Sequence, residues 1–152
     1  MPDDGPMKNW TPADWAAMND PVVTAFRANG GRVPGRGPIL LLTTIGARTG
    51  QPRLTPLNFS HDGDRLVVIG SKGGSATHPA WYRNLCATPV VTVEVGAERY
   101  RARATTAQEP ERTRLFDAQV AQMAFFDTYR RMVTDREIPV VVLERLPDGE
   151  EG

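Results

Sequence analysis

Ile39-Leu-Leu-Leu-Thr-Thr-Ile-Gly-Ala-Arg-Thr-Gly-Gln-Pro-Arg-Leu-Thr-Pro-Leu-Asn-Phe59 reads as two strands joined by a tight turn. Ile39–Ile45 is almost wholly apolar or β-branched, the pattern of a strand buried on both faces. Gly46 and Gly50 permit the turn, and Leu54–Ser60 is the return strand. Working outward, Arg65–Gly70 makes a third strand after the Asp62-Gly63 turn, forming a hairpin with the second. Val90–Val95 and Arg99–Thr105 predict another hairpin, the first strand alternating and the second polar outward. Ile138–Leu143 is a closing strand dense in β-branched residues.

Helical patterns fill the intervals. Thr11-Pro12 supplies an N-cap hydroxyl and a proline at the first helical position, and Trp15, Met18, Val22, Val23 and Phe26 follow at helical spacing. Pro21 is expected to kink or split this helix, and Gly30-Gly31 ends it ahead of the connector Arg32-Val-Pro-Gly-Arg-Gly-Pro38. Pro79 opens a short amphipathic helix through Ala87, with Trp81, Leu85 and Cys86 on its buried side, before Pro89 stops it. Glu109–Val133 predicts one long helix carrying Leu115, Phe116, Val120, Met123, Phe125 and Phe126 as a stripe. The expected class is α+β, mainly β: about six mostly antiparallel strands curled into a barrel, with an N-terminal helix, a short middle helix and a longer one before the last strand. Residues 1–36 read as an N-terminal helical extension and linker, 37–146 as the barrel, and 147–152 as a disordered tail.

The chain's 152 residues suit one domain and therefore one site. Its 18 Lys plus Arg balance 18 Asp plus Glu, so there is no global basic field for nucleic acid. No apolar run approaches the roughly 20 residues that span a bilayer, and Met1–Asn9 lacks a basic-then-apolar signal, so a cytoplasmic location is expected. Cys86 is the single cysteine, and with His61 and His78 it makes no metal-ligand pattern. Cys86 reads as a small buried apolar group, His61 as surface and His78 as a solvated loop residue.

In the first turn, Gly46 and Gly50 bring bare backbone amides close to the guanidinium groups of Arg48 and Arg53, a combination suited to phosphate or carboxylate. An ordinary hairpin with two solvated arginines fits the same residues. Without a Gly-Lys-Ser/Thr ending or a following helix, the segment is not a Walker A loop. Ser71-Lys-Gly-Gly74 adds a hydroxyl and an ammonium after the third strand, although by itself a plain loop accounts for it. Pro79-Ala-Trp-Tyr-Arg-Asn84 sets Trp81 and Tyr82 beside Asn84 at a helix start, where they can wall a ring pocket or serve as core.

In this order, Leu42–Arg53, Pro56-Leu57, Ser71–Gly74, Pro79–Leu85 with Pro89, Val91-Thr-Val93, Thr134-Asp-Arg136 and Ile138-Pro139 resemble the deazaflavin-dependent nitroreductase family of actinobacteria. The resemblance spans roughly residues 37 to 145 and implies a split β-barrel that binds coenzyme F420, whose tail carries a lactyl phosphate and glutamates. Carried onto matching positions, it puts the phosphate and tail on Ala47, Arg48, Thr49 and Arg53, and the ring against Leu54, Thr55, Pro56, Leu57 and Asn58. Ile69, Gly70, Ser71 and Lys72 would line the ring's other edge, with Gly70 leaving room for a flat ring. Ala80, Trp81, Tyr82, Arg83 and Asn84 would close the site.

The activity implied is hydride transfer from the reduced cofactor to a small electrophile such as a quinone, enone or nitro compound. Ser71 or Tyr129 would supply the proton, and Phe126 and Tyr129 would line the substrate pocket. Nitroimidazole-reducing relatives are tyrosine-rich in the helix near the substrate. Met123-Ala-Phe-Phe-Asp-Thr-Tyr129 is more apolar, which favours a quinone or enone. A non-catalytic cofactor- or lipid-binding barrel and a flavin mononucleotide relative stand as alternatives. The N-terminal helix carries enough apolar surface either to pack on the barrel or to touch a bilayer.

Overall fold

The computed structural model describes residues 10–72, 75 and 77–147. The readings made above for Met1–Asn9, for Gly73-Gly74 and for the tail beyond Pro147 lie outside those residues. The described elements are α1 (Pro12–Ala28), β1 (Ile39–Ile45), β2 (Pro52–Asn58), β3 (Ser60–Asp62), β4 (Arg65–Ile69), α2 (Ala80–Ala87), β5 (Val90–Val95), β6 (Glu98–Thr106), α3 (Glu111–Gln122), α4 (Phe125–Met132) and β7 (Val140–Arg145). The strands form one curled antiparallel sheet in the order β2-β1-β5-β6-β7-β4-β3, the expected split-barrel class.

Strand composition follows from what covers each face. On β1, Leu40 and Leu42 point into the curl, while Ile39 and Leu41 pack outward on Val22 and Phe26 of α1. On β4 and β7, Leu66, Val68, Val141 and Leu143 point inward; Val67, Ile69, Val140 and Val142 pack outward against Phe116, Leu115 and Phe126 of α3 and α4. These three strands are covered on both sides and read as unbroken apolar runs. β5 and β6 lack an outer layer, so Val91, Val93, Ala102 and Ala104 alternate with exposed or half-exposed polar neighbours. Pro52 and Pro56 have no N–H to give a ladder, and both lie on β2, an edge strand.

Several boundaries differ from the sequence expectation. The return strand ends at Asn58, and after Phe59 the chain starts a new strand at the opposite edge; the hairpin partner of β4 is therefore the short β3, not β2. α1 runs unbroken through Pro21, which sits on its exposed face. A reciprocal Thr11–Asp14 capping box and the burial of Val22 and Phe26 hold the helix on either side. The expected long helix is two. Met123 takes an extended backbone (φ −137°, ψ 87°) that drops its side chain into the core, and α4 restarts two residues later. Cys86 is exposed, not buried, because the inward face of α2 is taken by Trp81 and Leu85.

At Gly70 the space of the missing side chain is filled by protein. A Cβ there would stand 2.7 Å from Pro139 Cγ, so the missing side chain lets β7's lead-in pack on the end of β4. Gly70→Ala is expected to destabilise the fold by about 1–3 kcal/mol through overpacking, read as a lower midpoint in chemical denaturation.

Candidate functional site

Two cavities meet at Thr55, Ala80 and Trp81. The larger, about 760 Å³, is a mainly apolar chamber floored by Thr55–Asn58 of β2 and backed by Ile69, Ser71 and Lys72. α1 forms one wall through Trp15, Ala16 and Asn19; Phe125, Phe126 and Tyr129 of α4 form the other. The smaller, about 610 Å³, is a groove between the β1–β2 turn and α2, lined by Ala47, Arg48, Thr49, Arg53, Leu54, Arg83 and Asn84 among others. Both volumes fall in the range of small-molecule sites.

The turn is preset by its own bonds. Gly46 N donates to Gln51 O (2.8 Å), Gly50 N to Gly46 O (2.9 Å) and Gln51 N to Thr49 Oγ1 (3.2 Å). A Cβ on Gly46 would lie 2.7 Å from Thr49 Oγ1 and 3.3 Å from Gln51 O, so a side chain there would push the Thr49 hydroxyl off its bond to Gln51 N. Buried Asn84 reaches across from α2: its Oδ1 accepts from Ala47 N at 3.0 Å and its Nδ2 donates to Thr44 Oγ1 at 3.1 Å. The Ala47 amide is therefore spent inside the protein rather than bare. The amides of Arg48 and Thr49 have no partner among the described residues. Neither do the side chains of Arg48, Arg53 and Arg83, and among the described residues no carboxylate lines the groove.

Around the chamber, Tyr129 is half-buried, and desolvation pushes its phenol pKa up, so it stays a protonated donor through neutral pH. Phe126 is buried, whereas Phe125 is 43% exposed at the chamber wall. Lys72 has its pKa lowered, first by burial and then by Arg83 and Arg136. Asn58 Nδ2 is held by Arg36 O (2.7 Å) and Pro38 O (3.0 Å), which ties the connector to the chamber floor. All the sequence-derived cofactor positions line one cavity or the other except Gly70 and Tyr82. Tyr82 turns to the core side, its hydroxyl 3.1 Å from Thr106 Oγ1.

Sequence reading missed the α1 wall, because an apolar stripe shows that a helix packs and not what it packs over. It also misplaced His78, which is half-buried against Tyr82 with Nδ1 3.0 Å from Arg136 Nη1. Guanidinium only donates, so Nδ1 accepts and the ring proton sits on Nε2. Burial, then Arg136 and Arg83, lowers the His78 pKa below 6.5.

A split barrel whose mainly apolar chamber adjoins an arginine-lined groove at Thr55, Ala80 and Trp81 suits a flat ring with an anionic tail. The profile of the F420H(2)-dependent quinone reductase family matches residues 17–145, and the chain belongs to that family, with reduced coenzyme F420 as cofactor. F420H(2)-dependent quinone reductase Rv1261c of Mycobacterium tuberculosis H37Rv is 43% identical over 118 residues, 76% of this chain and 79% of that protein. The solved F420-H2 dependent reductase FDR-A superposes with a TM-score of 0.65 at 34% identity, covering 70% of this chain and 94% of that one. A solved domain-swapped dimer superposes at 0.67 with 29% identity, covering 88% of this chain and all of that one.

A base whose folded pKa lies below its unfolded value binds fewer protons folded than unfolded. Stability is then complete above the ordinary histidine value of 6.5 and declines as pH falls below it. The His78→Gln variant is expected to lose less stability than the parent between about pH 7 and 5, read by denaturant melts across that range. Equal losses in the two proteins would remove His78 as a source of acid sensitivity.

Proposed function

We propose that this chain transfers a hydride from reduced F420 to a quinone, with the cofactor's phosphate in the groove and its ring in the chamber. The observation that carries this reading is the continuity of the two cavities: three guanidinium groups without carboxylate partners run directly into a mainly apolar space. Arg48 and Arg53 flank the turn with two unpartnered amides, a donor set for a phosphate; Arg83 lies on the groove's α2 side for a tail carboxylate. Bound there, the reduced deazaflavin supplies a hydride and little one-electron or oxygen chemistry.

The protein's part is then to bind, orient and protonate. Thr55, Pro56 and Leu57 give the ring a flat, nearly uncharged floor, and Trp81 closes its side from the helix. An acceptor enters between Phe125 and Phe126 on one wall and Trp15 on the other, surfaces that suit a flat conjugated ring. Reduction of a quinone to its hydroquinone takes one hydride and one proton. The raised pKa of Tyr129 keeps a proton at its hydroxyl, and Ser71 is the second candidate donor at the same chamber. The relative Rv1261c is named a quinone reductase, which supports a quinone over a nitro compound.

Purified protein mixed with reduced F420 and menadione is expected to restore the absorbance and fluorescence of oxidised deazaflavin. Tight F420 binding without reoxidation by any member of a quinone panel would overturn the quinone assignment. Arg48→Ala and Arg53→Ala should each weaken F420 binding roughly 10- to 150-fold, the loss of a charge-assisted bond worth about 1.5–3 kcal/mol. Titration by deazaflavin fluorescence measures this, and unchanged affinity in both variants would remove the phosphate role. Tyr129→Phe is expected to lower turnover about 100-fold or more if its hydroxyl delivers the proton; Ser71→Ala would show the drop instead if that group does.

A further inference from the structure

Arg136, in the segment between α4 and β7, has every N–H of its guanidinium engaged. Nε donates to Ser75 O (3.2 Å), Nη1 to Gly70 O (3.2 Å) and His78 Nδ1 (3.0 Å), and Nη2 to Ser71 O (3.1 Å) and Ser75 O (2.9 Å). Five donors meet five contacts, all within residues 70–78. No carboxylate pairs with it among the described residues: the flanking Glu137 pairs with Arg112, and Asp135 bonds Thr134. A half-buried cation that collects main-chain carbonyls instead of a counter-ion is shaping that backbone.

The backbone it grips is strained where it meets the chamber. Lys72 has φ +48°, the one non-glycine left-handed residue described, and such conformations persist where the surroundings over-determine them. Here the carbonyls on both sides, of Gly70 and Ser71 before it and of Ser75 after it, are held by one planar fork, and Ser75 N donates to Lys72 O at 3.0 Å. Ser71 and Lys72, which border the chamber, are thus fixed from behind. Lysine in place of Arg136 has three donors and no plane, so it cannot reproduce the pattern.

Resting on the cofactor reading above, the geometry points to Arg136 as the positioning residue of the chamber's back wall: it sets Ser71 and Lys72 against the ring without touching ring or substrate. It adds positive charge behind that wall without a compensating acid, in reach of Lys72 and His78. The pair Arg136→Gln and Arg136→Lys tests this.

At a temperature where parent and variants are all folded by circular dichroism, both variants are expected to bind oxidised F420 about 10-fold or more weakly. In the ligand-free proteins, amide exchange across residues 70–78 should accelerate in both variants while exchange in β1 and β5 stays as in the parent. At saturating reduced F420, kcat for menadione should fall with KM for menadione unchanged, since the acceptor's walls are α1 and α4. Variants that match the parent in F420 affinity and in 70–78 exchange overturn the assignment. Full recovery by Lys also overturns it, since charge alone would then suffice. A parent that does not bind F420 defeats the cofactor reading instead, and the exchange comparison, made without ligand, still decides whether Arg136 sets the wall.

Discussion

One residue, Phe59, separates the end of β2 at one edge of the sheet from the start of β3 at the other. Two consecutive Cα–Cα steps reach at most about 7 Å. Seven flat strands would hold those edges roughly 29 Å apart at the usual interstrand spacing. The sheet must therefore curl until its edges nearly meet. Phe59 goes into the space so enclosed, with Leu40, Leu42, Val68 and Val93 around it.

The rest of the molecule is arranged around that seam. Helices stand beside the seam: α1 beside the edge strand β2, and Phe126 of α4 against Ile69 at the end of β4. The chamber is the gap left between those helices. α2 enters from the same side, its Trp81 and Leu85 in the barrel core and its Asn84 bonded to the β1–β2 turn. Floor, walls and groove thus come from one closure constraint, and the site lies on strands whose register is fixed by buried neighbours.

Much of this was legible in the sequence because burial leaves a period. Ile39–Ile45 read as a doubly covered strand and Val90–Val95 as an alternating one, and so they are; Ile138–Leu143 read as a closing strand dense in β-branched residues, and β7 forms there, over Val140–Arg145. Edges and breaks were not legible. Nothing in Asn58-Phe59-Ser60 says that a strand ends at one edge of the sheet and another begins at the other edge, since the composition stays strand-like throughout. No glycine or proline marks Met123-Ala124, where the helix breaks to bury Met123. In the site, arginines and glycines of the turn were visible as local chemistry. Asn84's hold on Ala47 and Arg136's hold on Ser71 span 37 and 65 residues, and local pattern carries no trace of contacts at that range.

A net charge of zero conceals how the charges are sorted. On the α3–α4 side six acids pair with arginines: Asp62 with Arg65 and Arg114, Glu111 with Arg65, Asp117 and Asp127 with Arg130, Glu109 and Glu137 with Arg112; Glu94 and Glu98 pair with Arg27 and Arg145 on the β5–β6 side. Among the described residues, Arg48, Arg53, Arg83, Lys72 and Arg136 pair with no acid. The exposed arginines of the groove lose little by lacking partners, since water solvates them and nearby salt screens them. Lys72 and Arg136, partly withdrawn from water, are different: their lowered pKa values record an electrostatic cost that a bound anion would relieve. Among the described residues, then, unpaired cations run from the turn to the chamber. A cofactor lying as proposed, with its anionic tail in the groove and its ring in the chamber, would meet these cations along its length, the exposed arginines at the tail and the partly desolvated Lys72 at the ring.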